Sequence, residues 1–248
     1  MRLKTVLTGL LILFGVVNLA RLGLWQLRRN DETNALIAEL KERQALPPAG
    51  PELLGVPGEQ ANFRQLQISG VAQAEPYALL AGRYVGGEPG YHLIQRVTVA
   101  DAPPGAPSEL LVDRGWIPLE GAEDRARGLG GPLQLSGVAR ASAEFDAEAP
   151  ASPDGLRWRV MAPTAIGEAL GATTPDWFFI AGAPLAEGAS PDPSTLPASG
   201  YHNTIRTRPH LEYAFTWFGL SATLGIAGAV VLMVSLRRKV DSAETGSI

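Results

Sequence analysis

Two long apolar runs near the ends of the chain predict two membrane-spanning helices. The first covers residues 5–20 without a charge and, after Arg21, continues to residue 27. The second covers residues 213–236, which are 24 residues without a charge. A helix rises about 1.5 Å per residue and the hydrocarbon core of a bilayer is about 30 Å thick, so each run is long enough to cross it.

The basic residues beside these runs predict their orientation. Arg2 and Lys4 precede the first run and residues 237–239 follow the second, so the positive-inside rule puts both termini in the cytoplasm. A cleaved signal peptide is the alternative for the first run, but the run is long for a signal and no Ala-x-Ala-like site follows it. We therefore expect four segments, which are a cytoplasmic N-terminus with the first transmembrane helix (1–27), an extracytoplasmic domain (28–209), the second transmembrane helix (210–236) and a cytoplasmic tail (237–248).

The region between the runs has the pattern of a β-rich domain. Residues 30–46 keep helical spacing, which predicts a helix that continues from the first span or is hinged to it. Beyond Pro47 and Pro48, the alternation of apolar and polar residues predicts strands at 64–71, 77–81, 92–99, 109–114, 133–140, 177–181 and 201–207. A short helix is predicted at 164–170, and loops rich in Pro, Ala and Ser at 141–154 and 182–200.

Short strands at this spacing favour an antiparallel sheet that curls or closes. The predicted fold class is therefore an α+β membrane protein. It has N- and C-terminal transmembrane helices that flank a mostly antiparallel β extracytoplasmic domain with one or two short helices.

Charge and cysteine content narrow the function. Residues 25–209 carry 15 basic and 22 acidic side chains, a net charge of −7, against −4 for the whole chain. This acidic middle argues against a nucleic-acid partner and against attraction to anionic lipid headgroups. The chain has no cysteine, which excludes disulfides, thiolate metal sites and cysteine nucleophiles.

The common catalytic motifs are missing from the sequence. It contains no P-loop, no Gly-x-Gly-x-x-Gly, no His-Glu-x-x-His and no Gly-x-Ser-x-Gly. The three histidines, His92, His202 and His210, are too widely spaced to predict a structural metal site. We therefore expect a protein that is not an enzyme. A membrane-anchored enzyme that uses carboxylates is the alternative.

Two local clusters lie outside the second apolar run. Leu-Gly-Leu-Trp-Gln at 22–26 places Trp25 at the outer end of the first span, where an aromatic belt anchor is the simpler interpretation. Pro-Gly-Tyr-His at 89–92 contains Tyr91, and Val-Asp-Arg-Gly-Trp-Ile-Pro at 112–118 contains Arg114, Gly115 and Trp116. A strand edge with a packed tryptophan is the simpler interpretation of this second cluster.

The third cluster opens the second span. His210, Tyr213 and Trp217 follow Pro209 and lie three or four residues apart, which predicts one helix face with an imidazole, a phenol and an indole. A neutral imidazole is a good iron ligand, and flanking aromatic rings suit a large apolar macrocycle. An interfacial histidine in an aromatic belt is the alternative.

Together the three clusters resemble the SURF1/Shy1 family of cytochrome c oxidase assembly factors. The resemblance covers nearly the whole chain, because Leu-Gly-x-Trp-Gln, Gly-Tyr-His, Val-Asp-Arg-Gly-Trp-Ile-Pro and His-Leu-x-Tyr-Ala-x-Thr-Trp-Phe occur in the family's order. It implies a non-enzymatic role in maturing a haem–copper terminal oxidase, at the haem a step of its catalytic subunit. The histidine that matches His210 is the proposed haem ligand of the family. The residues that match Trp25 and 114–116 belong to the family signature.

From the clusters and the resemblance we expect haem a to bind transiently at His210, with Tyr213, Trp217 and Trp25 beside it, and His210 to be the iron ligand. We expect Arg114, Gly115, Trp116 and Tyr91 to contact a partner.

The expected partners are the oxidase catalytic subunit, haem a synthase and the bilayer. The short N-terminus favours a bacterial plasma membrane. A cofactor-free scaffold that holds an oxidase intermediate by protein contacts is the alternative function.

Overall fold

The computed structural model describes residues 2–141, 157–203 and 209–244. The chain divides into two compact units, one of Met1–Glu39 with Ile205–Ile248 and one of Leu40–Thr204. The elements in chain order are α1 (Arg2–Ala45), a 3-10 turn (Pro51–Gly55), α2 (Gly58–Ala61), β1 (Gln65–Val85), β2 (Glu88–Val99), β3 (Glu109–Pro118), α3 (Ala122–Arg127), β4 (Gly131–Ala141), β5 (Arg157–Trp158), α4 (Pro163–Ala169), β6 (Trp177–Ala181) and α5 (His210–Glu244).

The first unit is an antiparallel pair formed by α5 and the first 39 residues of α1. Small residues on one helix meet large residues on the other along the whole contact, so the two backbones approach closely. Ser221 Oγ also donates a hydrogen bond to the carbonyl oxygen of Val16 at 3.0 Å. The facing pairs are Gly9 with Leu232, Ile12 with Gly228, Gly15 with Leu224, Val16 with Gly225, and Gly23 with Phe218.

Both helices expose their apolar side chains. The segments Thr5–Ala45 and His210–Arg237 are long and apolar enough to cross a membrane, and only 6% and 11% of their most apolar windows are buried. The core helix of a soluble protein would be mostly buried, so this exposure indicates membrane association. The two predicted spans are therefore present as helices, and residues 30–45 continue the first helix without a break.

The second unit is a β-barrel. Strand β1 pairs with β2 and β4, β2 with β3, β3 with β6, and β6 with β4, so five strands close on themselves. Strand β5 pairs with β1 outside this ring. Only the β3–β6 and β1–β5 pairs are parallel, which confirms the predicted, mostly antiparallel sheet that closes.

Four apolar clusters are buried among the described residues of this unit, and one of them surrounds Trp116. The largest takes apolar residues from all five barrel strands and is covered by α2 and the 3-10 turn. A second packs Ile166 and Leu170, in and just after α4, against Ile94 and Leu111 on the other face of the sheet. A third packs Ala122 and Ala126 of α3 against Tyr77.

The strands agree with the predicted ones, with three differences. The segments predicted at 64–71 and 77–81 are one strand, because β1 passes through a register shift between Ala72 and Tyr77 without losing its pairing with β2. Helix α3 was not predicted, since six residues are too short to show helical periodicity. In the strand predicted at 201–207, Tyr201 forms only an isolated bridge with Pro184, while 204–207 and the predicted loop at 142–154 lie outside the described residues.

We predict that Trp177→Ala lowers the free energy of unfolding by about 3–5 kcal/mol, because Trp177 is fully buried in the barrel interior. Trp177→Phe should cost less, since it keeps most of the ring but leaves the Val56 carbonyl without the indole N–H at 3.1 Å. The measurement is urea unfolding of the full-length protein in detergent. The control is Tyr84→Ala, an exposed aromatic on β1, which should change stability by less than about 0.5 kcal/mol. Equal losses at both positions would contradict the assigned core.

Candidate functional site

The outer end of the helix pair brings two of the sequence clusters together. Gln26 on α1 and His210 on α5 form a hydrogen bond of 2.8 Å between Oε1 and Nδ1. One turn away, a Cβ added to Gly23 would lie 2.7 Å from the ring of Phe218. The glycine of the first cluster therefore makes room for the phenylalanine of the third, and this close approach lets Gln26 reach His210.

The bond to Gln26 fixes the state of the imidazole. A carboxamide oxygen only accepts hydrogen bonds, so Nδ1 of His210 carries the proton and donates it. In the neutral ring, Nε2 then keeps its lone pair. A histidine that donates through one ring nitrogen and presents the other is the usual arrangement of a metal ligand.

The aromatic rings near His210 differ in exposure. Ala214 and Ser221 are buried against α1 and mark the seam of the pair. Tyr213 precedes Ala214 by one residue, or about 100° around the helix, so it leaves the seam and is 53% exposed. Trp25 is 56% exposed and Trp217 is half-buried. The side chains of His210, Tyr213 and Trp217 were predicted to share one helix face. Of these three, the ring of Tyr213 points away from the contact with α1 that Ala214 marks.

These residues fit a haem better than a bare metal ion. In the described part of the chain, no three His, Asp or Glu side chains lie close enough together to hold a metal. His210 would be a single protein ligand with exposed aromatic rings on both helices, which would suit a macrocycle that supplies its own four nitrogens.

The remaining cluster forms a bulge between β2 and β3. His92 pairs with Trp116 and Ile94 with Asp113, so β3 holds one residue more than β2 across this step. The bulge contains Gly115, whose φ of 115° lies in the left-handed region. A Cβ at Gly115 would also collide with the carbonyl oxygen of Ala198. Both conditions explain why glycine stands at this position.

A buried carboxylate fixes the bulge. The two oxygens of Asp113 lie 3.0 and 2.8 Å from Nδ1 of His92, and Oδ1 also accepts the backbone N–H of Gly115 at 3.0 Å. Asp113 is therefore engaged by His92 and the backbone, and it does not neutralise the adjacent Arg114.

Arg114 is half-buried and bound only by neutral acceptors. Its Nη1 donates to Oε1 of Gln95 at 2.8 Å and lies 3.5 Å from the carbonyl oxygen of Leu129. Burial without a counter-charge lowers the pKa of the Arg114 guanidinium from its usual value, although the group stays charged.

Trp116 and Tyr91 lie deeper than a direct partner contact would require. Trp116 is 4% exposed and packs with Val85 and Ala198, and its indole leaves no room for a side chain at Gly90. Tyr91 is half-buried beside the cluster of α3. Contact of these two rings and of Gly115 with a partner stays a prediction, and Trp116 would act through the surface that it supports.

Sequence reasoning singled out Trp25, Arg114 and His210 but missed the residues that hold two of them. Gln26 holds His210, and Gln95 holds Arg114. Gln26 could have been identified from the sequence, because it stands in the same short motif as Trp25. Gln95 could not have been identified in this way, since a polar residue in a strand is normally exposed, whereas this one is fully buried.

Comparison with known proteins agrees with these clusters. The sequence model of the SURF1 family matches residues 13–222. The chain belongs to the SURF1 family. It is similar to a SURF1-like protein of Rickettsia bellii (strain RML369-C), with 26% identity over 245 residues that cover 95% of this chain and 92% of the relative. Surfeit locus protein 1 of Mus musculus is 29% identical over 219 residues, which cover 81% of this chain and 68% of that protein.

A third relative is matched over almost its full length. A SURF1-like protein of Rickettsia felis (strain ATCC VR-1525 / URRWXCal2) is 26% identical over 246 residues, covering 95% of this chain and 99% of the relative. The SURF1 family is a family of assembly factors rather than of known enzymes. Membership therefore supports a role in cytochrome c oxidase assembly, and the resemblance seen in the motifs is confirmed.

For the bulge we predict that Gly115→Ala lowers the free energy of unfolding by about 2 kcal/mol or more, because Cβ adds both backbone strain and a collision with Ala198. The control is Gly128→Ala, at a residue with φ −74° where a Cβ meets only ordinary contacts, which should leave stability unchanged or raise it slightly. Urea unfolding of both variants in detergent measures the difference. Equal stability of the two variants would mean that the bulge is not built as described.

Proposed function

We propose that this SURF1 family member binds haem a transiently at the outer end of its helix pair and assists its insertion into the catalytic subunit of a haem–copper oxidase. The observation that carries the proposal is the hydrogen bond from Nδ1 of His210 to Oε1 of Gln26. Haem a is cargo in this proposal, and the protein's own residues bind and orient it.

Gln26 prepares His210 for this role in two ways. As an acceptor it selects the tautomer that leaves Nε2 free, and as a fixed neighbour on α1 it holds the orientation of the ring. The ring needs no rearrangement to meet an iron, which favours binding. A neutral ligand held by a single hydrogen bond also suits release, because no charge has to be separated when the cargo leaves.

The exposed rings supply the apolar surface that a macrocycle needs. Trp25 and Tyr213 lie on different helices, and each leaves more than half of its surface uncovered. Rings that face a cargo on one side and lipid on the other bury apolar area without a closed pocket. Trp217, one turn further along α5, extends this surface toward the middle of the span.

The proposed location follows from the helices and their basic flanks. We propose a bacterial plasma membrane with both termini in the cytoplasm and residues 28–209 on the outer side. His210 and Gln26 then lie near the outer surface of the bilayer, since they stand at the outer ends of the two apolar runs. Haem a synthase would supply the cargo and the oxidase catalytic subunit would accept it.

A cofactor-free scaffold is the second candidate function. Arg114 favours it, because a half-buried guanidinium with only neutral partners suits contact with another protein. On this alternative the purified protein contains negligible haem, yet deletion of its gene still abolishes oxidase assembly.

We predict that His210→Ala, purified from cells that make haem a, loses at least nine-tenths of the haem found in the wild type. Gln26→Leu should lower haem affinity by about tenfold to a hundredfold, because the imidazole loses its orienting acceptor. Gln26→Glu keeps an acceptor oxygen and should retain most binding. The measurement is the absorption spectrum of the protein in detergent, titrated with haem a.

His202→Ala is the matched control, since His202 is an exposed histidine outside the helix pair and should not affect the spectrum. Unchanged haem content in His210→Ala would remove His210 as the ligand. Equal affinity in the wild type and Gln26→Leu would remove Gln26 from the site.

A further inference from the structure

We propose that a small cleft beside Arg125 in the barrel unit receives an acidic side chain of a partner protein, which pairs with the guanidinium of Arg125 and is attracted by the charge of Arg114 behind the cleft wall. The cleft has a volume of about 160 Å³ and is lined by Ile117, Arg125, Gly128, Leu129 and Leu196. The proposal rests on the proposed role in oxidase assembly for the identity of the partner, whereas the chemistry of the cleft stands on the structure.

Arg125 is available because the neighbouring acids are engaged elsewhere. Helix α3 carries Glu123 and Asp124 directly before it, but both pair with Arg127, at 3.6 and 3.0 Å. Glu123 also pairs with Arg157 at 3.2 Å. Arg125 is exposed and, within residues 2–141, 157–203 and 209–244, forms no ion pair.

Arg114 adds a second charge behind the wall of the cleft. Its Nη1 lies 3.5 Å from the carbonyl oxygen of Leu129, and Leu129 lines the cleft. No carboxylate among the described residues pairs with Arg114, and its neighbour Asp113 is bound to His92. The fold has thus already desolvated part of this cation, so an incoming carboxylate gains from it without a further large desolvation cost.

Arg114 is unusual among the buried arginines. Burial also lowers the pKa of Arg140, but that guanidinium stacks on the ring of Phe63 at 3.8 Å, which compensates for part of the lost hydration. Arg96, also half-buried, pairs with Glu109 at 3.4 Å. Arg114 has only Gln95 and a carbonyl oxygen, so its partner has to come from outside the described chain.

The volume of the cleft, its lining and the surrounding charge indicate which ligand fits it. Sites for drug-sized molecules and cofactors have volumes of about 300–1,000 Å³, so 160 Å³ suits one side chain rather than a macrocycle. The apolar walls from Ile117 and Leu196 suit the methylene groups of a glutamate. The net charge of −7 on residues 25–209 disfavours approach to an extended anionic membrane surface, whereas a single protein carboxylate responds to the local charges of Arg125 and Arg114.

The first test measures co-purification of the oxidase catalytic subunit with the tagged full-length protein from solubilised membranes. Arg125→Glu should lower the yield of that subunit at least tenfold, because it replaces attraction by repulsion. The matched control is Arg83→Glu, since Arg83 is also half-exposed and without an acidic partner in the described residues but lies at the far end of β1, outside the cleft. Equal yields from the two variants would overturn the proposal.

The variant Arg114→Gln tests whether the positive charge of Arg114 contributes to partner binding. It should also lower the yield at least tenfold, provided that its urea unfolding midpoint matches the wild type. Arg114→Lys should keep most of the yield, because lysine keeps a positive charge behind the wall of the cleft. If Arg114→Gln does not fold, Arg125→Glu at the exposed rim decides the question alone.

The second test uses the absence of native cysteine. Gly128→Cys introduces a single thiol at the cleft, where a Cβ meets only ordinary contacts, and it is labelled with a photoactivatable cross-linker. We expect a cross-link to an Asp- or Glu-containing peptide of the catalytic subunit, and its loss in Arg125→Glu. Adducts with lipid would overturn the proposal in favour of a headgroup site, and adducts at random peptides would overturn it as well.

The haem spectrum separates this proposal from the proposed function. Arg125→Glu should keep the haem content of the wild type while it loses the partner, and His210→Ala should do the reverse. Loss of haem binding with an intact cross-link would contradict only the haem role. A normal spectrum with no cross-link would contradict only the carboxylate cleft.

Discussion

The close antiparallel packing of two apolar helices is the constraint on which the functional assignment depends. A Cβ at position 23 would lie 2.7 Å from the ring of Phe218, so that ring could not keep its place against α1. The same register recurs at Gly15 with Leu224 and at Ile12 with Gly228, so it is set by the whole interface rather than by one contact. The hydrogen bond between Gln26 and His210 is a consequence of this register, and the state of the imidazole is a consequence of that bond.

In the barrel unit, too, a constraint on the backbone fixes the position of a polar side chain. A bulge that requires Gly115 is locked by Asp113, and because Asp113 is bound to His92 it cannot neutralise Arg114. Half-burying that guanidinium costs it hydration free energy, which the packing of the barrel offsets. A partner carboxylate would give the guanidinium a favourable electrostatic interaction in place of the lost hydration. Each unit thus holds one polar group in place by a hydrogen bond to a glutamine, the imidazole of His210 in the helix pair and the guanidinium of Arg114 in the barrel.

Much of the architecture followed from pattern alone. The two apolar runs and the alternating strands predicted the helices and a closing sheet, because those periods reflect burial directly. The sequence did not reveal that β1 runs unbroken through Pro76, or that Tyr213 turns away from the seam, since both depend on the partner element. The motifs identified His210 and Arg114, whereas the bonds to Gln26 and Gln95 needed coordinates, because they join residues 184 and 19 positions apart.

Disulfide trapping in the otherwise cysteine-free chain tests the helix register most directly. A Cβ at Gly228 would lie 3.4 Å from Cβ of Ile12, close to the separation that a disulfide needs. The variant Ile12→Cys with Gly228→Cys should therefore cross-link almost completely when membranes are oxidised. Leu11→Cys with Gly228→Cys should not, because Leu11 is exposed away from the seam. Failure of the first pair, or equal cross-linking of both, would mean that the helices pack in another register and that Gln26 does not hold His210.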